Sequence, residues 1–305
     1  MNQPSSVPEI ISFATRRQWR TPAGVSLNGW DFGGEGELAL LHHANGLCAA
    51  CWLEVAMSLR QRYRVVAIDA RGHGDSDGVD AGLVVPEDFA WATFVDDLIF
   101  VAENLLAELK KPAVALGVGS SFGGIITAAA EAKQPELFRH IVMLDPPINP
   151  TAELVEQMGV AMEVPPSARE TLVAQTKKRK ADWPDRATAY AAWRDKPLFA
   201  PWSDTSFQLY VDEGLKSRGP EVTLKCSPLV EAHIFATTGS LGVLEYAPHV
   251  RAPVSLVHAS QGHFPREFYA AIANLFPNCR LHDIDAGHML PLEAALAVSD
   301  LILAL

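Results

Sequence analysis

The chain has 305 residues, 49% hydrophobic and 20% charged, enough for one large core, or one core with an inserted subdomain, in an ordinary globular protein. A net charge of −11 argues against a nucleic-acid surface, and no apolar run approaches the ~20 residues that a membrane helix needs. Four scattered cysteines, Cys48, Cys51, Cys226 and Cys279, do not make a disulfide scaffold, and Met1 to Ser6 carry no basic segment leading into an apolar one, so a reducing cytoplasm is expected rather than secretion.

Residues 1–10 read as a loose tail. From Ile11 to Asp31 two β-like runs are split by the turn Thr21-Pro22-Ala23-Gly24, and Gly33-Gly34-Glu35-Gly36 is a second turn. Glu37 to His43 reads as a buried strand, Ala50 to Gln61 as a helix, and Arg64 to Ala70 as another buried strand. That strand ends in a polar glycine-rich turn, Arg71-Gly72-His73-Gly74-Asp75-Ser76. Apolar residues keep helical spacing from Trp91 to Leu109. Ala113 to Val118 is a strand, Ile125 to Lys133 an Ala-rich helix, and His140 to Leu144 a strand that stops at Asp145-Pro146-Pro147. Continuously apolar strands alternating with helices specify a mostly parallel sheet covered on both faces, an α/β protein. The alternation stops after residue 148. Residues 149–250 are expected to be a helical cap inserted between two strands of one sheet, carrying the aromatics Trp183, Trp193, Phe199, Trp202, Phe207, Tyr210 and Phe235. The pattern then resumes with a strand at Pro253 to His258, a helix at Phe264 to Phe276, a strand at Arg280 to Ile284 and a helix at Pro291 to Leu305. The core is therefore expected to combine residues 1–148 and 251–305.

The chemistry-bearing stretch is Gly119-Ser120-Ser121-Phe122-Gly123. It lies between a strand and a helix and fits the G-x-S-x-G nucleophile elbow. A strand that turns directly into a helix forces its apex residue to positive φ, and side chains two positions to either side would collide across the turn. Centring the pattern on Ser120 would need glycines at positions held by Val118 and Phe122, so Ser121 is the candidate nucleophile. A base belongs on another loop at the carboxyl end of the same sheet. His288, directly after the last strand in Asp285-Ala286-Gly287-His288, meets that condition best among the ten histidines. Asp145 ends the strand after the elbow helix, so the order Ser121, Asp145, His288 is that of this elbow class; its alternative role is a turn residue before Pro146. The backbone N–H of Phe122 would be one oxyanion donor and that of Asn45 the other, with Ala44 as the alternative to Asn45. His43, Ala44 and Trp202 are the candidate substrate contacts.

Four segments together resemble the α/β-hydrolase superfamily over most of the chain. Leu41-His42-His43-Ala44-Asn45-Gly46 resembles its "HG" oxyanion loop, and Asp69-Ala70-Arg71-Gly72-His73-Gly74-Asp75-Ser76 its D-x-R-G-H-G-x-S turn. Gly119 to Gly124 resembles G-H-S-M-G-G, and Gly287-His288 the final G-H. The resemblance implies an α/β-hydrolase fold, with a serine nucleophile rather than the aspartate of the haloalkane dehalogenase and epoxide hydrolase branches. Two departures stand out. Ala44 replaces the usual glycine, and no carboxylate follows the strand near residue 258, where the family usually has its acid; other branches carry the acid one strand earlier, at the position of Asp145.

The expected activity is hydrolysis of a carboxylic ester of a small, partly apolar molecule through an acyl-enzyme. Thioesters, lactones, amides and C–C bonds stay open, as does a ligand-binding homologue without turnover. No cofactor, metal, nucleic acid or membrane span is expected, and a homodimer stays open. Cys48-Ala49-Ala50-Cys51 reads as small packing residues, Arg71 to Ser76 as a structural turn, and Lys177-Lys178-Arg179-Lys180 as a solvated face of the cap.

Overall fold

The computed structural model describes residues 11–159 and 166–305. Eight strands form one sheet: β1 (Thr15–Arg20), β2 (Ser26–Gly33), β3 (Glu37–His42), β4 (Tyr63–Asp69), β5 (Leu116–Ser120), β6 (Ile141–Leu144), β10 (Val254–Ala259) and β11 (Cys279–Ile284). They lie in the order β1-β2-β4-β3-β5-β6-β10-β11. From β4 to β11 every neighbouring pair is parallel, and β2 runs against both of its neighbours.

Successive residues of the central strands feed opposite cores, as the pleat requires. Leu38, Leu40, Val66, Ile68, Ile141 and Met143 belong to one core, with side chains of α2 (Trp91–Leu109), α3 (Phe122–Lys133) and α10 (Arg266–Ala273). Ala39, Leu41, Val65, Ala67, Val142 and Leu144 belong to the other, with α1 (Leu53–Leu59) and α12 (Ala295–Leu303). Burial on both faces is why these strands read as unbroken apolar runs. Near the C-terminus the expected single helix is two, α11 (Leu290–Glu293) and α12, broken at Ala294. The elbow strand runs on to Ser120 because the chain stays extended up to its apex.

Between β6 and β10 the chain forms α4 (Ala152–Met158), α5 (Pro166–Lys177), α6 (Arg186–Trp193), α7 (Asp204–Gly214), α8 (Pro228–Ala236) and α9 (Val243–Tyr246). The side chains of Thr151, Asp185, Ser203 and Ser227 cap α4, α6, α7 and α8, each satisfying an N–H that the first helical turn leaves free. This stretch is not purely helical. β7 (Asp182–Trp183), β8 (Leu215–Arg218) and β9 (Glu221–Leu224) make a three-stranded antiparallel sheet. The β8–β9 hairpin turns at Gly219-Pro220, with Gly219 at φ 62°, a left-handed conformation open to glycine. The aromatics pack on one another: Trp183 on Trp193 at 5.3 Å, Phe199 on Trp202 at 4.9 Å and Tyr190 on Phe207 at 4.8 Å between ring centroids. The buried ones continue the core of the second sheet face, in one apolar cluster with Leu41, Leu53 and Val298. The last helix of the insertion, α9, buries Val243 and Tyr246 in the same core as α3.

Candidate active site

Ser121 stands at the junction of β5 and α3 with φ 53° and ψ −121°, a conformation that costs about 1–3 kcal/mol and persists only where the surroundings impose it. Two contacts show what imposes it. A Cβ on Gly119 would lie 2.2 Å from the carbonyl oxygen of Gly123, and one on Gly123 would lie 2.3 Å from that of His42. The Ser121 N–H donates to Leu144 O at 2.8 Å, tying the apex to β6. The Phe122 ring is fixed by Trp91 and Phe94, each at 5.0 Å, and by His42 at 5.4 Å. Among the described residues the Phe122 N–H has no acceptor, as befits the first turn of a helix, where free N–H groups favour negative charge.

Three loops bring the candidate residues together. His288 Nε2 lies 2.9 Å from Ser121 Oγ, and His288 Nδ1 lies 2.6 Å from Asp145 Oδ2. Asp145 directly follows β6, at φ 45°, and is 1% exposed. Its Oδ1 accepts from the Ala259 N–H at 3.1 Å, and its own N–H donates to Val257 O at 2.8 Å. A carboxylate only accepts, so Nδ1 of His288 carries the proton and Nε2 presents its lone pair to the serine hydroxyl. Of the two histidines near this end of β10, one points away from the site and the other packs against it. His258 Nδ1 faces Asp283 Oδ1 at 3.0 Å, while the His263 ring packs on His288 at 4.8 Å.

Glu293 is a part that sequence reasoning missed. Its carboxylate accepts the N–H of Gly287 at 2.8 Å and that of Met289 at 3.1 Å, clasping the backbone on both sides of His288. A Cβ on Gly287 would lie 2.4 Å from Glu293 Oε2, so the clasp needs glycine before the histidine. The signal was a glutamate five residues beyond His288, with nothing to mark it as reaching backward.

On the other side of Ser121, the loop after β3 is set by three buried histidines. His42 Nδ1 donates to His43 O at 3.1 Å, His43 Nδ1 to Ala44 O at 2.8 Å, and His73 Nδ1 to Arg71 O at 3.0 Å. The free Nε2 of His43 accepts from Ala70 N–H, and that of His73 from Gly46 N–H, both at 3.0 Å. All three rings are thus neutral Nδ1–H tautomers. Burial pushes His42 and His73 down to about 4 and His43 well below its usual range. Both ring nitrogens of His43 are therefore engaged by main chain. Ala44 and Asn45 are buried beside it, and among the described residues neither of their N–H groups has an acceptor, so both keep a donor free on this loop. Trp202 packs among Phe199, Phe207 and Tyr210, with its indole N–H unpartnered among the described residues.

The glycine-rich turn after β4 holds structure. Asp69 accepts from Ala49 N–H at 2.7 Å and Asp75 N–H at 3.1 Å, and Arg71 grips Asp97 through two hydrogen bonds of 2.6 and 2.7 Å. Its His73 is the prop under Gly46.

A family model described as the alpha/beta hydrolase family matches residues 39–301. Mouse protein phosphatase methylesterase 1 is 35% identical over 103 residues, 32% of this chain and 25% of that protein. The 2-(acetamidomethylene)succinate hydrolase of Mesorhizobium japonicum is 30% identical over 112 residues, 37% of this chain and 36% of that one. The chain thus matches these relatives over about a quarter to a third of their length. Among solved structures, that of an E-2-(acetamidomethylene)succinate hydrolase superposes with a TM-score of 0.77 at 19% identity, covering 95% of this chain and 98% of that one. A thioesterase domain from the curacin biosynthetic pathway superposes at 0.73 and 20%, covering 95% and 99%.

Proposed function

The chain belongs to the alpha/beta hydrolase family, and from that premise we propose that it is a serine hydrolase whose nucleophile is Ser121, whose base is His288 and whose orienting acid is Asp145. The observation that carries this reading is the unbroken line of hydrogen bonds from Asp145 through His288 to Ser121 Oγ, at 2.6 and 2.9 Å. It also supports Asp145 as the acid in place of a carboxylate after β10, whose absence favours a homologue without turnover.

In the proposed reaction His288 Nε2 takes the hydroxyl proton as Ser121 Oγ attacks a carbonyl carbon. The tetrahedral oxyanion is held by the Phe122 N–H and by a free N–H of the 44–45 loop, Asn45 first. Each such donor is worth about 3–4 kcal/mol in the transition state. His288 then gives its proton to the leaving group, and water, activated by the same nitrogen, releases the acyl group. Asp145 keeps Nδ1–H pointing inward throughout and steadies the imidazolium.

A carboxylic ester of a small, partly apolar molecule is the proposed substrate, taken up beneath a cap formed by residues 149–250. The two relatives and two structures above carry names of a methylesterase, a 2-(acetamidomethylene)succinate hydrolase and a thioesterase, so the bond cleaved is the part to be screened. No helix of the described residues is long and apolar enough to cross a membrane; a cytoplasmic setting and a homodimer belong to the proposal. The test is a panel of p-nitrophenyl esters of increasing acyl length, acyl thioesters and lactones, each run against wild type and Ser121→Ala. Turnover of an ester lost in the variant supports the reading. Turnover confined to thioesters or lactones replaces the ester, and no turnover of any member contradicts it.

A further inference from the structure

Among the described residues of the insertion, Glu231 and Cys226 both reach the Asn45–Gly46 loop, and Glu231 carries the charge. Glu231, buried on α8, accepts the side-chain amide of Asn45 on its main-chain carbonyl, with Asn45 Nδ2 at 3.0 Å. Its carboxylate presses on the next residue, for a Cβ on Gly46 would lie 2.7 Å from Glu231 Oε1. The loop is thus held from the core by His73 and from the insertion by Glu231. A bare carboxylate in this place would oppose a negative charge developing at the neighbouring donors. It is not bare. Arg179, just after α5, gives Nη1 to Glu231 Oε2 at 2.6 Å and Nη2 to the Tyr210 hydroxyl, and its guanidinium lies 5.9 Å from the centroid of the Trp193 ring. Arg179 is therefore no part of a solvated face, although Lys177 and Lys178 beside it are exposed.

We infer that Arg179 and Glu231 are positioning residues: a latch carried by the insertion that fixes the Asn45–Gly46 loop and keeps its surroundings electrically neutral. This rests on the reading of Ser121 as nucleophile and adds that the hole works only with the insertion docked. The two partners are not equivalent. Removing the arginine leaves a negative charge beside the hole, whereas removing the carboxylate leaves a positive one.

The experiment uses the full chain as wild type, Arg179→Met, Arg179→Lys, Glu231→Gln and the double variant Arg179→Met/Glu231→Gln. Active sites are counted with a fluorophosphonate, and kcat and KM are measured with p-nitrophenyl acetate. Arg179→Met should lose about thirtyfold in kcat with KM within about threefold, and Glu231→Gln clearly less, by about fivefold or more. Adding Glu231→Gln to Arg179→Met should recover at least about fivefold. A pair that merely supports the fold predicts equal losses in the two single variants; that result, or no recovery in the double variant, overturns the latch. Should Arg179→Met fail to fold, the comparison passes to Arg179→Lys and the double variant, both neutral at the site, which must agree within about fivefold. A wild type that takes no fluorophosphonate overturns the nucleophile reading itself, a result separate from any variant.

Discussion

The three buried histidines make stability depend on pH in a way that one substitution isolates. His42 is held down to about 4 by burial, against an ordinary 6.5 in the unfolded chain. Below pH 6.5 the unfolded state binds a proton at this position and the folded state does not. The stabilisation is therefore fully present above 6.5, falls as the pH drops, and is exhausted near 4. At about 1.4 kcal/mol per unit, a drop from pH 7 to 5 removes about 2 kcal/mol through His42. His73, also near 4, removes about as much again, which together is a large share of a typical domain stability of about 5–15 kcal/mol. Other groups titrate too, and burial raises Asp69 and Asp97, which works in the opposite sense. The test is therefore a difference. His42→Asn keeps a donor for His43 O and cannot titrate. Urea unfolding followed by tryptophan fluorescence at pH 7, 6 and 5 should show wild type losing about 2 kcal/mol more than the variant, whatever their offset at pH 7. Parallel profiles would refute the assignment of His42 as a buried neutral ring.

Asp145→Asn offers Nδ1 an amide in place of a carboxylate and releases the tautomer, so kcat should fall about 10³- to 10⁴-fold with the fold intact, measured with p-nitrophenyl acetate. Gly287→Ala drives a methyl into the Glu293 clasp, 2.4 Å from its Oε2; kcat should drop by about tenfold or more while KM holds, since about 1 Å of misplacement is enough for such losses. Arg71→Met strands the buried Asp97 carboxylate, and urea unfolding at pH 7 should show a loss of about 3–5 kcal/mol.

Much of the fold could be read in the chain because its physical demands are local. The elbow is spelled by Gly119 and Gly123, whose steric need belongs to the turn alone. The sheet announces itself because strands buried on both faces admit only apolar residues. Asp145 was legible as a carboxylate at the end of a strand, and the Asp145–His288 distance could not be. What escaped lies in relations between distant residues. Glu293 acts through its reach back to two N–H groups. Arg179 sits in a run of four basic residues, and only the packing of α5 against α8 turns this one inward. The β8–β9 hairpin, with Arg218 and Glu221 at its tip, is too polar and too short for its alternation to show. His43 looked like a substrate contact from its place in the loop, and its two hydrogen bonds to main chain appear only when β3 and β4 lie side by side.

In the proposed mechanism one hydroxyl is activated by one imidazole. Peptide mapping by mass spectrometry after fluorophosphonate treatment tests it most directly, because Ser120 and Ser121 are adjacent and only one stands at the apex. A stoichiometric adduct on Ser121, none on Ser120, and no adduct on the same timescale in His288→Ala are expected. An adduct on Ser120, or labelling of His288→Ala at the wild-type rate, would contradict that mechanism.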